Sequence, residues 1–365
     1  MEQELIGIEV LEDPLFQSSL TRIKIAQYPY LTESLKEVLL SDSDRNVVCA
    51  VIENHRLTKE QTSYFLSNKE SYLPRITVIQ FQELTLDQMC VLSESLDEYE
   101  RYLLAQRDDL TLDLILKLSS DELPLVRGEV ASRPGLSSEL RDLLSRDPSA
   151  DVRLAIAKRN DLTPEQIDRL SKDEDAHVRV AVGHHQTITP DLFERFLADE
   201  EPRVRNAICS NKSLTLDMKK RLLSDDSLGI VIATIKGQEL PCEEVKALVL
   251  REESSVRIAV ASSQPLSPEQ TERLSQDEVW EVRKEVARRP NLPSYIIEIL
   301  SRDEVPEVRE AVAWRQDLTA EQAIRLSMDK AWLVSDVISI NIDAQKKIKE
   351  HEEQPKTYKR KWLKM

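Results

Sequence analysis

An all-α fold, a right-handed α-solenoid (superhelix) of about twelve two-helix repeats, is what this sequence predicts, and three periodic signals carry the prediction. Arg22, Arg75, Arg101, Arg127, Arg153, Arg179, Arg205, Arg257, Arg283 and Arg309 stand in one register, and from Arg101 to Arg309 the step is 26 residues, with Val231 filling one slot. A helix-start signature recurs at the same step, and so does an apolar stripe carrying small residues. A fixed period of this length means one supersecondary unit copied end to end, each copy burying its apolar face on its neighbours.

The clearest copy is LTPEQIDRLSKDEDAHVRVAVGHHQT, Leu162 to Thr187. Thr163 suits an N-cap, Pro164 the first helical position, and Gln166 completes a capping box, so the first helix starts here. Leu162 and Ile167 form a hydrophobic staple, a pair repeated as Leu84/Met89, Leu110/Ile115, Ile188/Phe193 and Leu292/Ile297. The second helix reads VRLAIA from Val152, VRVAVG from Val178, VRNAIC from Val204, VRIAVA from Val256, VRKEVA from Val282 and VREAVA from Val308. Apolar residues at i, i+3 and i+4 give it one buried stripe, and alanines there let neighbouring helices approach closely. Helices of about ten to twelve residues are marginal alone, so stability comes from stacking.

An arginine at the start of a helix faces the positive end of the helix dipole and needs a carboxylate. Asp121, Asp147, Asp173, Asp199, Asp277 and Asp303 each lie six residues before the arginine of their unit. The two columns read as a ladder of charge-assisted hydrogen bonds between adjacent repeats at the turns joining first to second helix. The alternative is a row of guanidinium groups awaiting phosphate, but such a row would not come with its own carboxylates.

The D-x5-R spacing across a helix–turn–helix unit resembles HEAT repeats and the HEAT-like phycobilin lyase repeats. The shorter period and the phrase L-T-P-E-x…L-x-x-D-x-x-x-x-V-R-x-A-V-A resemble more closely the leucine-rich repeat variant family, an all-helical solenoid despite its name. The resemblance covers about residues 21 to 340 and implies a binding scaffold, since these families hold widely different partners on one architecture. The family includes a type with an N-terminal cysteine cluster for an iron–sulfur centre, and this sequence departs from it. Cys49, Cys90, Cys209 and Cys242 fall in four separate repeats with no CxxC pair. Cys209 sits in a small apolar slot of a second helix, where burial is expected.

Composition agrees with a repeat array that grows by addition rather than by separate domains. Only 6 glycines and 5% aromatics leave little for β-hairpins or an aromatic-lined pocket, and the net charge of −16 repels nucleic acid and anionic membrane on average. Low cysteine use, no apolar leader in MEQELIGIEVLEDP and no apolar run of membrane length predict a reduced, cytoplasmic, soluble protein without membrane insertion. No G-x-S-x-G, phosphate-binding loop, dinucleotide fingerprint, HExxH or Cys/His dyad is present, so neither catalysis, cofactor nor metal is expected.

One column varies where the core does not. The residues five and six after each ladder arginine include Gln106-Arg107, Ser132-Arg133, Lys158-Arg159, His184-His185, Ser210-Asn211, Lys236-Gly237, Arg288-Arg289 and Trp314-Arg315. Cations at a helix C-terminus complement the dipole, which is the bland reading. The functional reading is a strip at exposed helix ends that contacts an acidic segment of a protein partner, because repeats set equivalent positions side by side. Arg107, Arg133, Lys158, Arg159, His184, His185, Arg288, Arg289, Trp314 and Arg315 are its candidate residues. The alternative function is nucleic-acid binding through the same column and the C-terminal tail. His184 and His185 point about 100° apart on a helix and lack a third ligand, so they read as solvated members of the column.

Residues 1–20 lack the full unit and read as a capping helix around Ile6 to Leu11, residues 21–340 as the array, and 341–365 as a basic helix end and tail. Residues 346–365 carry eight Lys or Arg against three Glu, with Tyr358 and Trp362 as apolar anchors, and suit nucleic acid, anionic lipid or the acidic body of this chain or another copy. Within the array, Val231 replaces the ladder arginine while Arg251 stands in the aspartate column, and Gly229 and Gly237 fall in the same unit. Arg251 is expected to reach back to Asp225; the alternative is a degenerate repeat with a weakened interface.

Overall fold

The computed structural model of the chain describes residues 6, 9, 10, 14–68, 70–185 and 188–353. Among these there are twenty-six α-helices and no strand, only an isolated parallel bridge between Ile6 and Leu31. From Glu33 to Ile340 the helices alternate as twelve pairs, a first helix of 7–9 residues and a second of 6–10. They are shorter than the spacing suggested, because 26 residues must hold two helices and both turns. The chain divides into two units, Met1–Val182 and Gly183–Met365.

In the first unit the second helices Ser19–Ala26, Arg45–Asn54, Tyr72–Phe81, Glu98–Gln106, Pro124–Ser132 and Ala150–Ala157 each pack on the next. In the second unit Pro202–Ala207, Leu228–Gly237, Ser254–Ser263, Trp280–Ala287, Pro306–Ala313 and Trp332–Ile340 do the same. The core is the stripe of these helices: Val126, Val130, Ala131, Val152, Ile156 and Ala157 are fully buried, as are Val282, Val286, Ala287, Val308, Val312 and Ala313. A last helix, Ile342–Glu353, lies on Ala320–Ser327 and Trp332–Ile340 and covers the final pair. The tail beyond residue 353, and most of the capping segment expected around Ile6 to Leu11, lie outside the described residues. At Ile6 the backbone is extended rather than helical, because its N–H donates to Tyr30 O and its carbonyl accepts from Thr32 N.

First-helix entries follow the capping signature. Thr163 Oγ1 accepts from Gln166 N at 3.3 Å and Gln166 Oε1 accepts from Thr163 N at 3.0 Å. The same reciprocal box forms at Thr58, Thr85, Ser267 and Thr319. Gln166 is buried and also donates to Ser138 O of the preceding repeat, so one residue caps its own helix and joins two units.

The arginine ladder runs between repeats. Arg127 Nε and Nη2 each donate to the Asp147 carboxylate at 2.7 Å, while Nη1 donates to the carbonyls of Asp121 and Glu122 at 2.7 and 3.1 Å. The aspartate six residues before the arginine therefore supplies its backbone oxygen, and the carboxylate comes from the next repeat. That carboxylate has a second task, since Asp147 Oδ1 accepts from Ser149 N at the following helix start. Arg101, Arg153, Arg257, Arg283 and Arg309 repeat the arrangement on Asp121, Asp173, Asp277, Asp303 and Asp329. The hydrogen-bonded carboxylate raises each of these arginines above its ordinary pKa. The guanidinium thus points back out of its helix into the turn, which answers the unfavourable dipole.

Two rungs differ. Ser95 stands where the aspartate would be, and Arg75 pairs instead with Glu100 of the next second helix, itself held by Ser95 Oγ at 2.6 Å. At the other, Asp225 is already taken by Arg205, so Arg251 does not reach back; it turns toward solvent and pairs with Glu253 at 2.9 Å. Val231 is fully buried in the vacant arginine slot. An aspartate at 251 would have no cation to meet, so the Val231/Arg251 exchange avoids a stranded buried carboxylate.

The first helices carry a further set of cross-repeat pairs on their outer face. Arg169 meets Asp142, Arg221 meets Glu194, and Arg325 grips Glu298 with two hydrogen bonds of 2.7 and 2.9 Å. Arg325, with Arg302 and Gln322, holds the Glu298 carboxyl well below its ordinary 4.5, at about 2.

Two outcomes test this packing. A Cβ at Gly128 would meet nothing within 4 Å, whereas one at Gly237 would lie 2.8 Å from Ser210 Cα. Gly128→Ala is expected to stabilise by about 0.5–1 kcal/mol and Gly237→Ala to destabilise by about 1–3 kcal/mol, read by chemical denaturation. Because folding lowers the Glu298 carboxyl from 4.5 to about 2, its contribution is full above about pH 4.5 and lost as pH falls toward 2. Glu298→Gln is expected to be less stable than wild type at pH 7 and to converge with it near pH 2.

Candidate functional site

The variable column resolves into two columns with opposite roles. The fifth residue after each ladder arginine is exposed: Gln106, Ser132, Lys158, His184, Ser210, Lys236, Ser262, Arg288 and Trp314 all face solvent. Where the residue after it is arginine, that side chain turns inward and donates to the carbonyls that end the previous second helix. Arg133 Nη1 donates to Ala105 O and Arg107 O at 2.9 and 2.5 Å, and Arg159 Nη1 to Ala131 O and Arg133 O at 2.9 and 2.5 Å. Arg107 donates to Ile79 O, Arg289 to Ala261 O, and Arg315 to Ala287 O and Arg289 O. These bonds satisfy C-terminal carbonyls that a helix leaves without partners.

The expectation that Arg107, Arg133, Arg159, Arg289 and Arg315 stand at exposed helix ends is therefore corrected. The Arg159 and Arg315 side chains are only 9% and 7% exposed. Lys158, His184, Arg288 and Trp314 are the exposed candidates, with Trp314 56% exposed. His185 is half-buried, and its carbonyl accepts from Asn211 Nδ2 at 2.6 Å.

Sequence reasoning missed that polar residues other than arginine fill the inward column. His55, Gln82, Asn211, Gln238, Gln264 and Asn341 each reach back to carbonyls 26–30 residues earlier. Gln238 Nε2, for example, donates to Cys209 O and Asn211 O at 2.8 and 2.9 Å. The signal was present but displaced: the helices Tyr72–Phe81, Leu228–Gly237 and Ser254–Ser263 run to ten residues, which moves Gln82, Gln238 and Gln264 one place along.

The loop after the inward residue sets its charge balance. Arg107, Arg159 and Arg315 each pair with the aspartate two residues on, Asp109, Asp161 and Asp317. At Arg133 and Arg289 that place holds Gly135 and Asn291, whose φ values of 68° and 54° follow Pro134 and Pro290 in a left-handed turn. No carboxylate among the described residues pairs with Arg289, and burial pushes its guanidinium below its ordinary pKa. It borders a surface cleft of about 390 Å³ together with Arg288, Trp314 and Arg315.

Residues 280–305 match the model of the family described as leucine rich repeat variant. That stretch, one unit long, is what is similar to a leucine-rich repeat variant. The matched stretch holds one whole register of the variant unit: Arg283 of the ladder, Arg288 and Arg289 of the two columns, Glu298 of the outer pairs and Asp303. A solved structure described as a leucine-rich repeat variant with a novel repetitive protein structural motif is similar at 24% identity, over 60% of this chain and 87% of that chain, with a TM-score of 0.48. No curated protein matches.

Other candidate chemistry is accounted for by position. Cys209 is buried, which raises its thiol pKa; Cys49 is half-buried, and Cys90 and Cys242 are exposed, all as free thiols. Among the described residues no three His, Cys, Asp or Glu gather as a metal site, and no helix is long and apolar enough to cross a membrane.

Arg159→Ala strands the carbonyls of Ala131 and Arg133 and is expected to cost about 1–3 kcal/mol, whereas Lys158→Ala should cost under about 0.5 kcal/mol. Arg159→Gln should recover part of the loss, because glutamine makes the same bonds at Gln82, Gln238 and Gln264. Thermal unfolding of the three variants checks the order.

Proposed function

We propose that this chain is a non-catalytic helical-repeat scaffold that binds an acidic segment of another protein along the exposed column at the ends of its second helices. The observation that carries the reading is Arg289. Its counterparts Arg107, Arg159 and Arg315 each have an internal carboxylate; Arg133 and Arg289 do not, and Arg289 is partly buried beside a cleft that also presents Arg288 and the indole of Trp314. A partner carboxylate placed there takes the role that Asp317 plays for Arg315, and the indole gives the flanking apolar anchor typical of a binding hot spot. Lys236 and His184 hold equivalent exposed positions in other repeats of the same unit, and supply places where specificity can vary.

Nucleic acid is the less favoured partner. Phosphate binding needs several uncommitted cations in a row. The arginines that made the column look basic are spent on carbonyls, three of them also on aspartates, and the chain carries a net charge of −16.

The test is a variant carrying Arg288→Glu, Arg289→Gln and Trp314→Ala, in which glutamine keeps the carbonyl bond while removing the cation. Wild type and variant are used to capture proteins from cell lysate with and without nuclease treatment. The expected result is loss of a defined set of proteins with the variant at unchanged folding. Retention of the same set by both chains overturns the reading, and loss of capture on nuclease treatment of wild type alone would favour nucleic acid.

A further inference from the structure

Arg289 lies between two clefts. Arg288, Arg289 and Pro290 border both the cleft of about 390 Å³ that reaches Trp314 in the following repeat and a smaller one of about 250 Å³ that reaches Ser262, Ser263 and Pro265 in the preceding repeat. The second helices concerned, Ser254–Ser263, Trp280–Ala287 and Pro306–Ala313, are consecutive and belong to one unit. Ser262, Arg288 and Trp314 hold one register position at 26-residue steps, and all are exposed. A groove therefore crosses three repeats with Arg289 at its middle.

The first unit fills the same position. Arg133, like Arg289, is followed by proline, but Asp109 of the preceding repeat lies close enough for the two charges to interact. Pro265 stands at that place before Arg289. Among the described residues Arg289 makes one hydrogen bond, from Nη1 to Ala261 O at 2.7 Å, which leaves its Nε/Nη2 edge for a ligand. The other cations of the groove are committed, Arg288 to Glu285 at 2.7 Å and Arg315 to Asp317 at 2.6 Å. One guanidinium edge matches one carboxylate through two parallel bonds, as the ladder arginines do. A phosphate of nearly two charges calls for a cluster of arginines.

The repeat also sets a spacing. Neighbouring helices pack about 8–10 Å apart, and a polyproline II chain places residues three apart on one side at a separation of about 9 Å. A β-strand turns those residues to opposite sides. Pro265 and Pro290 line the groove, and the indole of Trp314 is the kind of surface on which polyproline II segments dock. Resting on the reading of Arg289 as a carboxylate site, we infer that the groove takes a polyproline II segment of a protein partner. Its Asp or Glu meets the Arg289 edge, and an apolar residue three places away packs on Trp314.

Fluorescein-labelled peptides that set one Glu and one Leu in a proline–alanine frame, titrated into the full chain and read by fluorescence anisotropy, test the register. A step of three, in one or the other order, is expected to bind at least about tenfold more tightly than steps of two or four at the same composition. Replacing the Glu of the three-step peptide by Gln is expected to cost about tenfold on wild type and under about twofold on Arg289→Gln, where glutamine keeps the carbonyl bond. Replacing its Leu by Ala is expected to weaken binding to wild type and to leave binding to Trp314→Ala unchanged. Circular dichroism establishes that both variants fold, and the spacing series needs wild type alone. Equal binding at all three steps, with the Glu effect still dependent on Arg289, overturns the register and leaves the acidic-segment reading standing. Binding indifferent to the peptide's Glu, or no binding of any peptide at millimolar concentration, overturns both. Tighter binding of a peptide with phosphoserine in place of Glu makes phosphate the ligand and overturns the carboxylate assignment.

Discussion

The rest of the structure depends on the guanidinium that joins three pieces of chain at most of the turns between first and second helices. Arg127 illustrates it: one edge meets the carboxylate of the next repeat, and the remaining nitrogen closes on two carbonyls of its own turn. A buried ion pair repays its desolvation only when its remaining donors and acceptors are satisfied, and here they are. Breaking one partner of such a pair typically costs about 3–5 kcal/mol, so each rung fixes the geometry between neighbours that burial of alanine and valine alone would leave loosely specified. The aspartate is equally constrained, because it must also start the following helix.

A second set of bonds does for the other end of the second helices what the ladder does for their beginning. The inward column lets Arg, Gln, Asn or His donate to carbonyls of the previous repeat, and the chemistry tolerated there is broad because the requirement is only a donor of the right reach. The second helices are therefore pinned at both ends. Where a rung is altered, the local sequence compensates: Glu100 replaces the aspartate beside Ser95, and Val231 removes the need for one beside Arg251.

Such thorough internal pairing decides what remains for function. Cations that look available in the sequence are mostly consumed, and a chain with 50 basic residues presents few free ones on the varied strip. Against this background Arg133 and Arg289 stand out as inward arginines that no carboxylate among the described residues pairs with, and burial pushes the Arg289 guanidinium below its ordinary pKa.

The sequence by itself determined the repeat, its length, the helix starts and the ladder columns, because these follow from local rules repeated at a fixed step: Thr163 with Gln166, Val152 with Ile156, Arg153 with an aspartate column. It also located the strip in which residues vary. Only the tertiary structure decided which of two adjacent residues in that strip faces outward. Lys158 and Arg159 are alike in charge and neighbours in sequence, but the packing of one repeat on the last directs Arg159 onto Ala131 O and Arg133 O and leaves Lys158 in solvent. Likewise Arg251 and Asp225 share a plausible spacing, yet Arg205 reaches Asp225 first. Sequence periodicity gives the column to which a side chain belongs; the distance to a carbonyl or carboxylate of another repeat, which fixes its role, exists only once the helices have packed.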